Sequence, residues 1–311
     1  MFRQIRQKVI FILALSMIFV LSGCSNSAKI EEKSNEESVS RESDSTKSKT
    51  IHMDYGDVEI PENPQNVIIT FNQGDLIALG IIPVGATFSE GSAFEELAEN
   101  ITQIDGWEIN PEELLSLKPD LIIWGSYDEK SYETLSKIAP TLAGDFYSMG
   151  YEERLRFFGE IFNCEEKAED LIQGFNSKLK ETQARLDEAG LKNKNIACIE
   201  VIGDTVRAYQ FGRGGNLVYD MLELSAPEKL NEAFKDKTSI DISYEVLPEY
   251  MGDYILLNTG KDKLIDNKVW EHIPAVKEGR LIQASSNMFW FNDILSLSKQ
   301  IDIIANSMLE K

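Results

Sequence analysis

The sequence has 311 residues, of which 42% are hydrophobic, and its formal net charge is -21. A chain of this length can hold two domains with sizeable cores, and its acidic balance excludes nucleic acid as a general partner. The two histidines, His52 and His272, lie far apart in the sequence, which disfavours metal sites built on imidazole. The three cysteines define no disulfide framework.

The first residues have the layout of a secretory signal. A basic start is followed by an apolar run over residues 9–21, which is short for a membrane span, and then by the segment Leu-Ser-Gly-Cys that ends at Cys24. This segment resembles the bacterial lipobox. We therefore expect residues 1–23 to be a lipoprotein signal peptide and Cys24 to carry acyl chains that hold the protein at the membrane. An ordinary signal peptide with a chance cysteine is the alternative.

Residues 24–50 contain almost no large apolar side chains, so we expect a disordered tether there and a folded part that starts near Ile51. After Ile51, short apolar strands alternate with helical stretches. Residues 67–69 form a predicted buried strand, and a predicted helix over 75–79 ends at Gly80. This alternation predicts an α/β fold.

Two segments of the chain align without a gap, residues 109–123 and residues 242–256. Each has a helix N-cap residue (Asn110 or Ser243), a carboxylate in the first turn, a helix stop and then an aspartate before an apolar strand. The shared pattern predicts two similarly built lobes.

A long amphipathic helix is predicted between the two segments, over residues 165–190. Its apolar positions recur at three- and four-residue steps, and a helix of this length spans about 37 Å. We interpret it as a connector between an N-terminal lobe (51–164) and a C-terminal lobe (191–311). An amphipathic helix that packs on one domain is the alternative.

The order of these parts resembles a known family, the helical-backbone (class III) solute-binding proteins of ABC importers, which serve siderophores, heme and cobalamin. The closest resemblance is to the ferric-hydroxamate-binding lipoproteins. The phrases that carry it are GDLIALG (74–80), PVGA (83–86), LKPDLII (117–123), LSKIAPT (135–141), FGRGG (211–215), YD (219–220), VW (269–270), IPAV (273–276), GR (279–280), Trp290 and ND (292–293).

The resemblance implies two Rossmann-like lobes joined by one stiff helix, with the ligand in the cleft between them. It implies a monomeric binding protein without catalysis, which captures a ferric siderophore at the outer face of a Gram-positive-type cell membrane. The partners are then an ABC permease and its ATPase. No cofactor is expected, because the iron arrives already chelated and the protein supplies no metal ligand.

The segment from Phe211 to Gly215 is the main candidate for ligand contact. Its glycines allow the backbone to approach a ligand, Arg213 offers a planar charged fork for chelate oxygens, and Phe211 offers an apolar wall. In the resembling family, an aromatic residue and an arginine at these positions touch the ferric hydroxamate. A turn whose arginine faces water is the alternative. The glycines do not complete a dinucleotide-binding fingerprint.

Further candidates come from strand geometry. Arg207 and Tyr209 share a face of one predicted strand and are expected to line the cleft, unless that strand is a solvated edge. Trp290 lies in an aromatic cluster that serves either as core or as ligand wall. Side chains that follow predicted N-lobe strands are expected at the cleft by the same topology: Asn72, Gln73, Tyr127 and, unless it packs in the core, Trp124.

The scarcity of cations near the predicted cleft favours one ligand class. Only Arg207 and Arg213 are placed there, whereas a ferric tris-catecholate is strongly anionic and needs several basic groups. A ferric hydroxamate is close to neutral. The sequence therefore favours a hydroxamate or a mixed carboxylate-hydroxamate siderophore.

The family also presents one glutamate on each lobe to arginines of the permease. In the C-terminal lobe, Glu228 is the first candidate and Glu223 the second. In the N-terminal lobe we take Glu96, although Glu95 and Glu99 lie in the same segment. A solvated surface carboxylate is the alternative for each of them.

Enzyme motifs are absent from the sequence: it contains no HExxH, Walker A or GxSxG pattern. His272 has no nearby nucleophile, and Cys164 and Cys198 are expected to be buried and inert. The alternatives to a siderophore are cobalamin and heme. Heme calls for a histidine or tyrosine axial ligand, and with two histidines only a tyrosine could serve. A surface lipoprotein enzyme is a further alternative.

Overall fold

A computed structural model of the protein describes residues 47–53, 56–125, 128–259 and 268–310. The predicted signal peptide, Cys24, most of the predicted tether and Tyr127 lie outside these ranges. None of the helices within them combines the length and the apolar character that a bilayer crossing requires.

The N-terminal lobe starts with a hairpin and continues as alternating strands and helices. In chain order its elements are β1 (Ser48–Met53), β2 (Gly56–Pro61), β3 (Val67–Ile69), α1 (Gln73–Leu79), β4 (Gly85–Ala86), β5 (Thr102–Gln103), α2 (Pro111–Ser116), β6 (Leu121–Trp124), α3 (Glu129–Leu135), β7 (Thr141–Ala143) and α4 (Tyr151–Phe162). Short 3-10 turns such as Glu95–Leu97 join some of them.

The main sheet of this lobe is parallel, with the strand order β5-β4-β3-β6-β7. Its central strands Val67–Ile69 and Leu121–Trp124 are fully buried, as expected when helices cover both faces of a parallel sheet. The carboxyl ends of β3, β6 and β7 meet at one edge, which faces the cleft described below.

The first described strand begins at Ser48, before the predicted start of the folded part at Ile51. The β1 strand pairs with β2 in antiparallel register, and Lys49 Nζ donates to the carbonyl of Glu160 (2.7 Å) and to Asn163 Oδ1 (2.9 Å). These bonds attach the hairpin to α4. The last residues of the predicted tether, 48–50, are therefore part of the fold.

The C-terminal lobe follows the connecting helix α5 (Glu165–Glu188). Its elements are β8 (Ile196–Ile202), β9 (Thr205–Tyr209), a π-helical turn (Leu217–Met221), α6 (Glu228–Phe234), β10 (Ser239–Ile242), a 3-10 turn (Leu247–Glu249), β11 (Tyr254–Thr259), a 3-10 turn (Trp270–His272), α7 (Pro274–Lys277), β12 (Leu281–Ser285) and α8 (Ile294–Leu309).

The C-terminal sheet has the strand order β10-β9-β8-β11-β12 and is mixed instead of fully parallel. The β9 strand runs antiparallel to both of its neighbours. Only two residues, Gly203 and Asp204, separate β8 from β9, and so short a connection can join only antiparallel strands.

The two aligned segments occupy equivalent places in the lobes. Asp120 accepts hydrogen bonds from the backbone N–H groups of Gln65 and Asn66, directly before β3, and Asp253 accepts one from Asn195, directly before β8. Each aspartate thus joins the starts of two neighbouring strands. The segments differ in their helices: α2 is capped by Asn110, whereas the second segment forms only a 3-10 turn and Ser243 does not cap it.

The connecting helix has 24 residues, which corresponds to about 36 Å. Its buried face includes Ala168, Ile172, Phe175 and Leu186, which share one hydrophobic core with residues of both lobes. The C-terminal helix α8 contributes to the same junction, since it packs against α1 as well as α5. The lobes are therefore joined by direct packing in addition to the predicted connector.

Candidate ligand-binding cleft

A cavity of about 590 Å³ lies between the lobes. The N-terminal lobe contributes Phe71, Trp107 and Tyr147, and the C-terminal lobe contributes residues of β8, β9 and the FGRGG loop together with Trp290. A neighbouring cavity of about 620 Å³ shares four of its lining residues: Phe71, Trp107, Arg213 and Trp290. Both volumes are in the range of small-molecule sites, about 300–1,000 Å³.

The FGRGG loop turns sharply at the end of β9, and its glycines are required for that turn. Gly214 has a φ of 90°, and a Cβ there would lie 2.6 Å from Leu256 Cδ2. A Cβ on Gly215 would lie 2.6 Å from the carbonyl oxygen of Gln210. Arg213 itself has a left-handed φ of 48°, which is uncommon for a residue with a side chain. The loop holds the Arg213 side chain in the cleft wall.

Three contacts hold the Arg213 guanidinium. It stacks on the ring of Trp290 at 4.0 Å from the centroid, Nη1 donates to the carbonyl of Ser286 (2.8 Å), and Nε lies 3.2 Å from Glu200 Oε2. Buried Asn258 adds a bond from its side chain to the Arg213 carbonyl (3.0 Å). An arginine held in this way is preorganised, so less conformational entropy is lost when it binds a ligand.

Aromatic side chains cover the remaining walls of the cleft. Tyr147 meets Phe211 edge-on across the lobes at 6.0 Å between ring centroids, and burial raises the pKa of the Tyr147 phenol. Phe71 packs against Trp107 at 4.8 Å, and Trp107 is 68% exposed. An exposed tryptophan beside a cavity offers a large apolar surface to a bound molecule.

Arg207 and Tyr209 both line the cavity, in agreement with their shared strand face. Tyr209 Oη donates to Glu200 Oε2 (2.8 Å), and burial together with Glu200 raises the pKa of Tyr209 to about 12. Arg207 pairs with Asp241 through two bonds of 2.7 and 3.1 Å. Since β9 lies between β8 and β10, the alternative of an edge strand is wrong.

The N-lobe candidates occupy different places. Asn72 and Gln73 are fully buried, and Asn72 Nδ2 donates to Asn292 Oδ1 (3.1 Å) at the lobe junction. Asn72 therefore does not reach the cleft surface, and the preceding Phe71 takes that position. Trp124 is also buried, in the core of the N-terminal lobe, which is the alternative that the sequence left open. Tyr127 lies outside the described residues.

Several residues of the cleft were not among the sequence candidates, and those with large or charged side chains that matter most here are Phe71, Trp107, Tyr147 and Glu200. Phe71 and Tyr147 follow the strands β3 and β7. The first strand is predicted with its correct bounds, but we expected Asn72 and Gln73 after it in place of Phe71, and no strand is predicted at β7. Glu200 could have been noticed as the one charged residue in the apolar strand Ile196–Ile202. Nothing in the sequence around Trp107 indicates that this residue lies in the cleft, apart from the fact that it is a tryptophan.

Other candidates lie outside the cleft walls. Glu96 and Glu228 are exposed on different lobes, in the 3-10 turn Glu95–Leu97 and at the first residue of α6, and their permease contacts remain predictions. Cys198 is buried, which raises the pKa of its thiol to about 12. Such a thiol is a poor nucleophile at neutral pH.

A family model described as "Periplasmic binding protein" matches residues 71–288, and this range contains nearly the whole cleft. The chain belongs to the periplasmic binding protein family. The match starts at Phe71 in the cleft wall and includes α5 and the FGRGG loop, so the family assignment covers both lobes and the connector.

Individual relatives agree with this assignment. The iron(3+)-hydroxamate-binding protein YxeB of Bacillus subtilis is 29% identical, with 96% of this chain and 95% of the relative covered. The probable siderophore-binding lipoprotein YfiY of the same organism is 28% identical, with 89% of each chain covered.

A solved structure from Bacillus subtilis extends the comparison to three dimensions. It is described as an FhuD fold-family component of a Fep/Fec-like ferrichrome ABC transporter. It is 27% identical to this chain, with a TM-score of 0.73, and covers 84% of this chain and 100% of its own. The predicted α/β class, with two lobes and a long connecting helix, is thereby confirmed.

Proposed function

We propose that this protein captures a ferric hydroxamate siderophore in the cleft between its lobes and delivers it to an ABC permease. The observation that carries the proposal is the preorganised Arg213, which is stacked on Trp290 in a cleft with aromatic walls. A guanidinium donates to the chelate oxygens while the rings cover the apolar arms of the ligand.

The chelate reaches the cleft with its iron already coordinated. The protein then acts on the outside of the complex through hydrogen bonds and apolar contacts and contributes no ligand to the metal. No catalytic step is required for this function, since the importer moves the same chelate that the protein has captured.

The lipid anchor and the permease contact complete the proposal. Cys24 carries the acyl chains and holds the protein at the outer face of the membrane, where it works as a monomer. Glu228 and Glu96 meet arginines of the permease, and ATP hydrolysis by the partner ATPase drives import. E228A and E96A should then abolish uptake of the ferric siderophore while binding in solution is unchanged.

A fluorescence titration tests the ligand class. Trp107 and Trp290 line the cleft, whereas Trp124 and Trp270 are buried elsewhere. We expect a ferric trihydroxamate to quench the emission saturably and the iron-free trihydroxamate to bind more weakly. W107F and W290F together should remove most of the quench, because these substitutions replace the two tryptophans next to the ligand.

Heme and cobalamin are titrated in parallel. Saturable binding of either one, with no response to ferric trihydroxamates, would contradict the proposed ligand class. Turnover of any of these compounds would contradict the assignment as a pure binding protein.

A further inference from the structure

A carboxylate lies directly against the cation of the cleft. Glu200 Oε2 is 3.2 Å from Arg213 Nε and accepts a hydrogen bond of 2.8 Å from Tyr209 Oη. The side chains of Glu200 and Arg213 are 11% and 13% exposed, and both line the cavity of about 590 Å³. The arginine therefore meets a ligand as half of a mostly buried ion pair.

The fold places Glu200 at this position. It lies on β8 opposite Arg207 of β9, and its neighbours on the strand, Ile199 and Val201, pack in the lobe core. A charged residue in the middle of a sheet costs free energy unless it is paired. Tyr209 and Arg213 both contact the Glu200 carboxylate, so the buried charge has a hydrogen-bond donor and a cation beside it.

The other charges around the cleft do not restore a positive potential. Arg207, the second cation of the cavity that Glu200 and Arg213 line, is paired with Asp241. Asp145 lines the same cavity, and Asp105 and Glu113 line the neighbouring one. Among the lining residues that the structure describes, carboxylates thus outnumber guanidinium groups.

We propose that Glu200 is a specificity-determining residue, which makes the cleft select ferric chelates without net negative charge. The favoured ligands are ferric trihydroxamates, in which three hydroxamate anions neutralise the iron, including those with a pendant ammonium group. This inference rests on the proposed function and assigns to Glu200 the discrimination against anionic chelates such as the carboxylate-hydroxamates.

The physical reason is the low polarity of a cleft with aromatic walls. An anionic chelate that approaches Arg213 also approaches Glu200, and the two charges cancel at the distance of the ligand. A carboxylate on the chelate would lose its hydration and gain little attraction in return. A neutral hydroxamate keeps its hydrogen bond to the guanidinium, because that bond does not require a net charge on the site.

The test uses three ferric chelates with the purified full chain. The first is a linear trihydroxamate with a free terminal amine, the second is the same compound with the amine acetylated, and the third is an anionic citrate-dihydroxamate. Kd values are measured for the wild type, for E200Q and for E232Q. E200Q keeps an oxygen that accepts from Tyr209 Oη, whereas E232Q removes the same charge from an exposed position on α6.

We expect the wild type to bind the cationic and neutral chelates at least about tenfold more tightly than the anionic one. E200Q should strengthen binding of the anionic chelate about tenfold and change binding of the neutral one less than about threefold. E232Q should leave the order unchanged. A merely structural role of Glu200 would instead weaken binding of all three chelates in parallel, which would overturn the inference.

The wild-type ranking tests the inference even if E200Q fails to fold. Equal or tighter binding of the anionic chelate by the wild type would also overturn it, while the proposed function would stand because a hydroxamate-type chelate is bound. Failure of the wild type to bind any of the three chelates would instead contradict the proposed function itself.

Discussion

Asp75 of α1 and Arg154 of α4 form an ion pair that is buried at the lobe junction. Arg154 Nε lies 2.5 Å from Asp75 Oδ2, and the two side chains are 1% and 0% exposed. Arg154 Nη2 also donates to the carbonyl of Asn292 in the C-terminal lobe (2.8 Å), and Asp75 Oδ1 accepts from the backbone N–H of Ile294 (2.7 Å). One buried pair therefore joins both lobes behind the cleft.

The first prediction concerns this pair. R154A should lower the free energy of unfolding by about 3–5 kcal/mol, because it leaves the Asp75 carboxylate buried without its partner. Urea unfolding followed by circular dichroism measures the change. R156A is the matched control: Arg156 pairs with Glu152 and Glu169 on the exposed side of the same helix, so its loss should cost less than about 1 kcal/mol. Equal losses in the two variants would contradict the prediction.

The second prediction concerns pH. Asp293 caps α8 and is fully buried, and this burial, together with the nearby charge of Asp75, raises its pKa to about 7. Burial also raises the pKa of Asp75, against the attraction of Arg154. Because the folded state then binds a proton more tightly than the unfolded state, stability should fall as pH rises from about 4 to about 7 and then level off.

D293N tests the assignment of this effect. Asparagine keeps the cap acceptor for Ser296 and has no titrating proton. Thermal melts at pH values between 4 and 8 should therefore show a flatter profile for D293N than for the wild type. A decline of the same steepness in both proteins would show that Asp293 is not the group responsible.

The third prediction concerns the contact between α1 and α8. A Cβ on Gly74 would lie 1.9 Å from Asp293 Oδ1, whereas a Cβ on Gly174 in α5 would meet nothing within 4 Å. G74A should destabilise the protein by about 1–3 kcal/mol through overpacking, and G174A should stabilise it by up to about 1 kcal/mol through helix propensity. Unfolding midpoints that shift in the same direction for both variants would contradict this.

The fourth prediction compares the two arginines of the cleft. R213A should weaken binding of a ferric trihydroxamate by roughly 30-fold or more, because it removes the preorganised donor and leaves Glu200 in the wall without its partner. R207A should change the affinity less than about threefold, since Arg207 is 40% exposed and paired with Asp241. Isothermal titration measures both values, and the reverse order of effects would contradict the role of Arg213 as the arginine that binds the ligand.

Much of the fold could be predicted because its signals are local. The period of apolar residues indicated α5 as a continuous helix, and the aspartates at positions 120 and 253 indicated equivalent strand starts in the two lobes. The FGRGG loop was also readable, since its glycines allow backbone geometry that few other residues adopt.

The composition of the cleft wall could be predicted only in part. The chain leaves β3 through Phe71, which has a left-handed φ of 69° and lines the cleft, whereas the polar Asn72 and Gln73 after it are buried. Glu200 and Arg213 are adjacent only because β8 and the loop after β9 are brought together by the sheet. Their pairing depends on contacts between residues distant in sequence, which no local pattern contains.

The sequence by itself determined the class of the protein: two α/β lobes, a stiff connecting helix and a glycine-rich loop with an arginine at its centre. Propensity and periodicity are properties of neighbouring residues, so one chain suffices to recognise them. Only the tertiary structure decided which charged residues form ion pairs in the cleft and which form the buried ion pair at the lobe junction. Electrostatic interactions depend on distance and burial in space, and both arise only when the chain has folded.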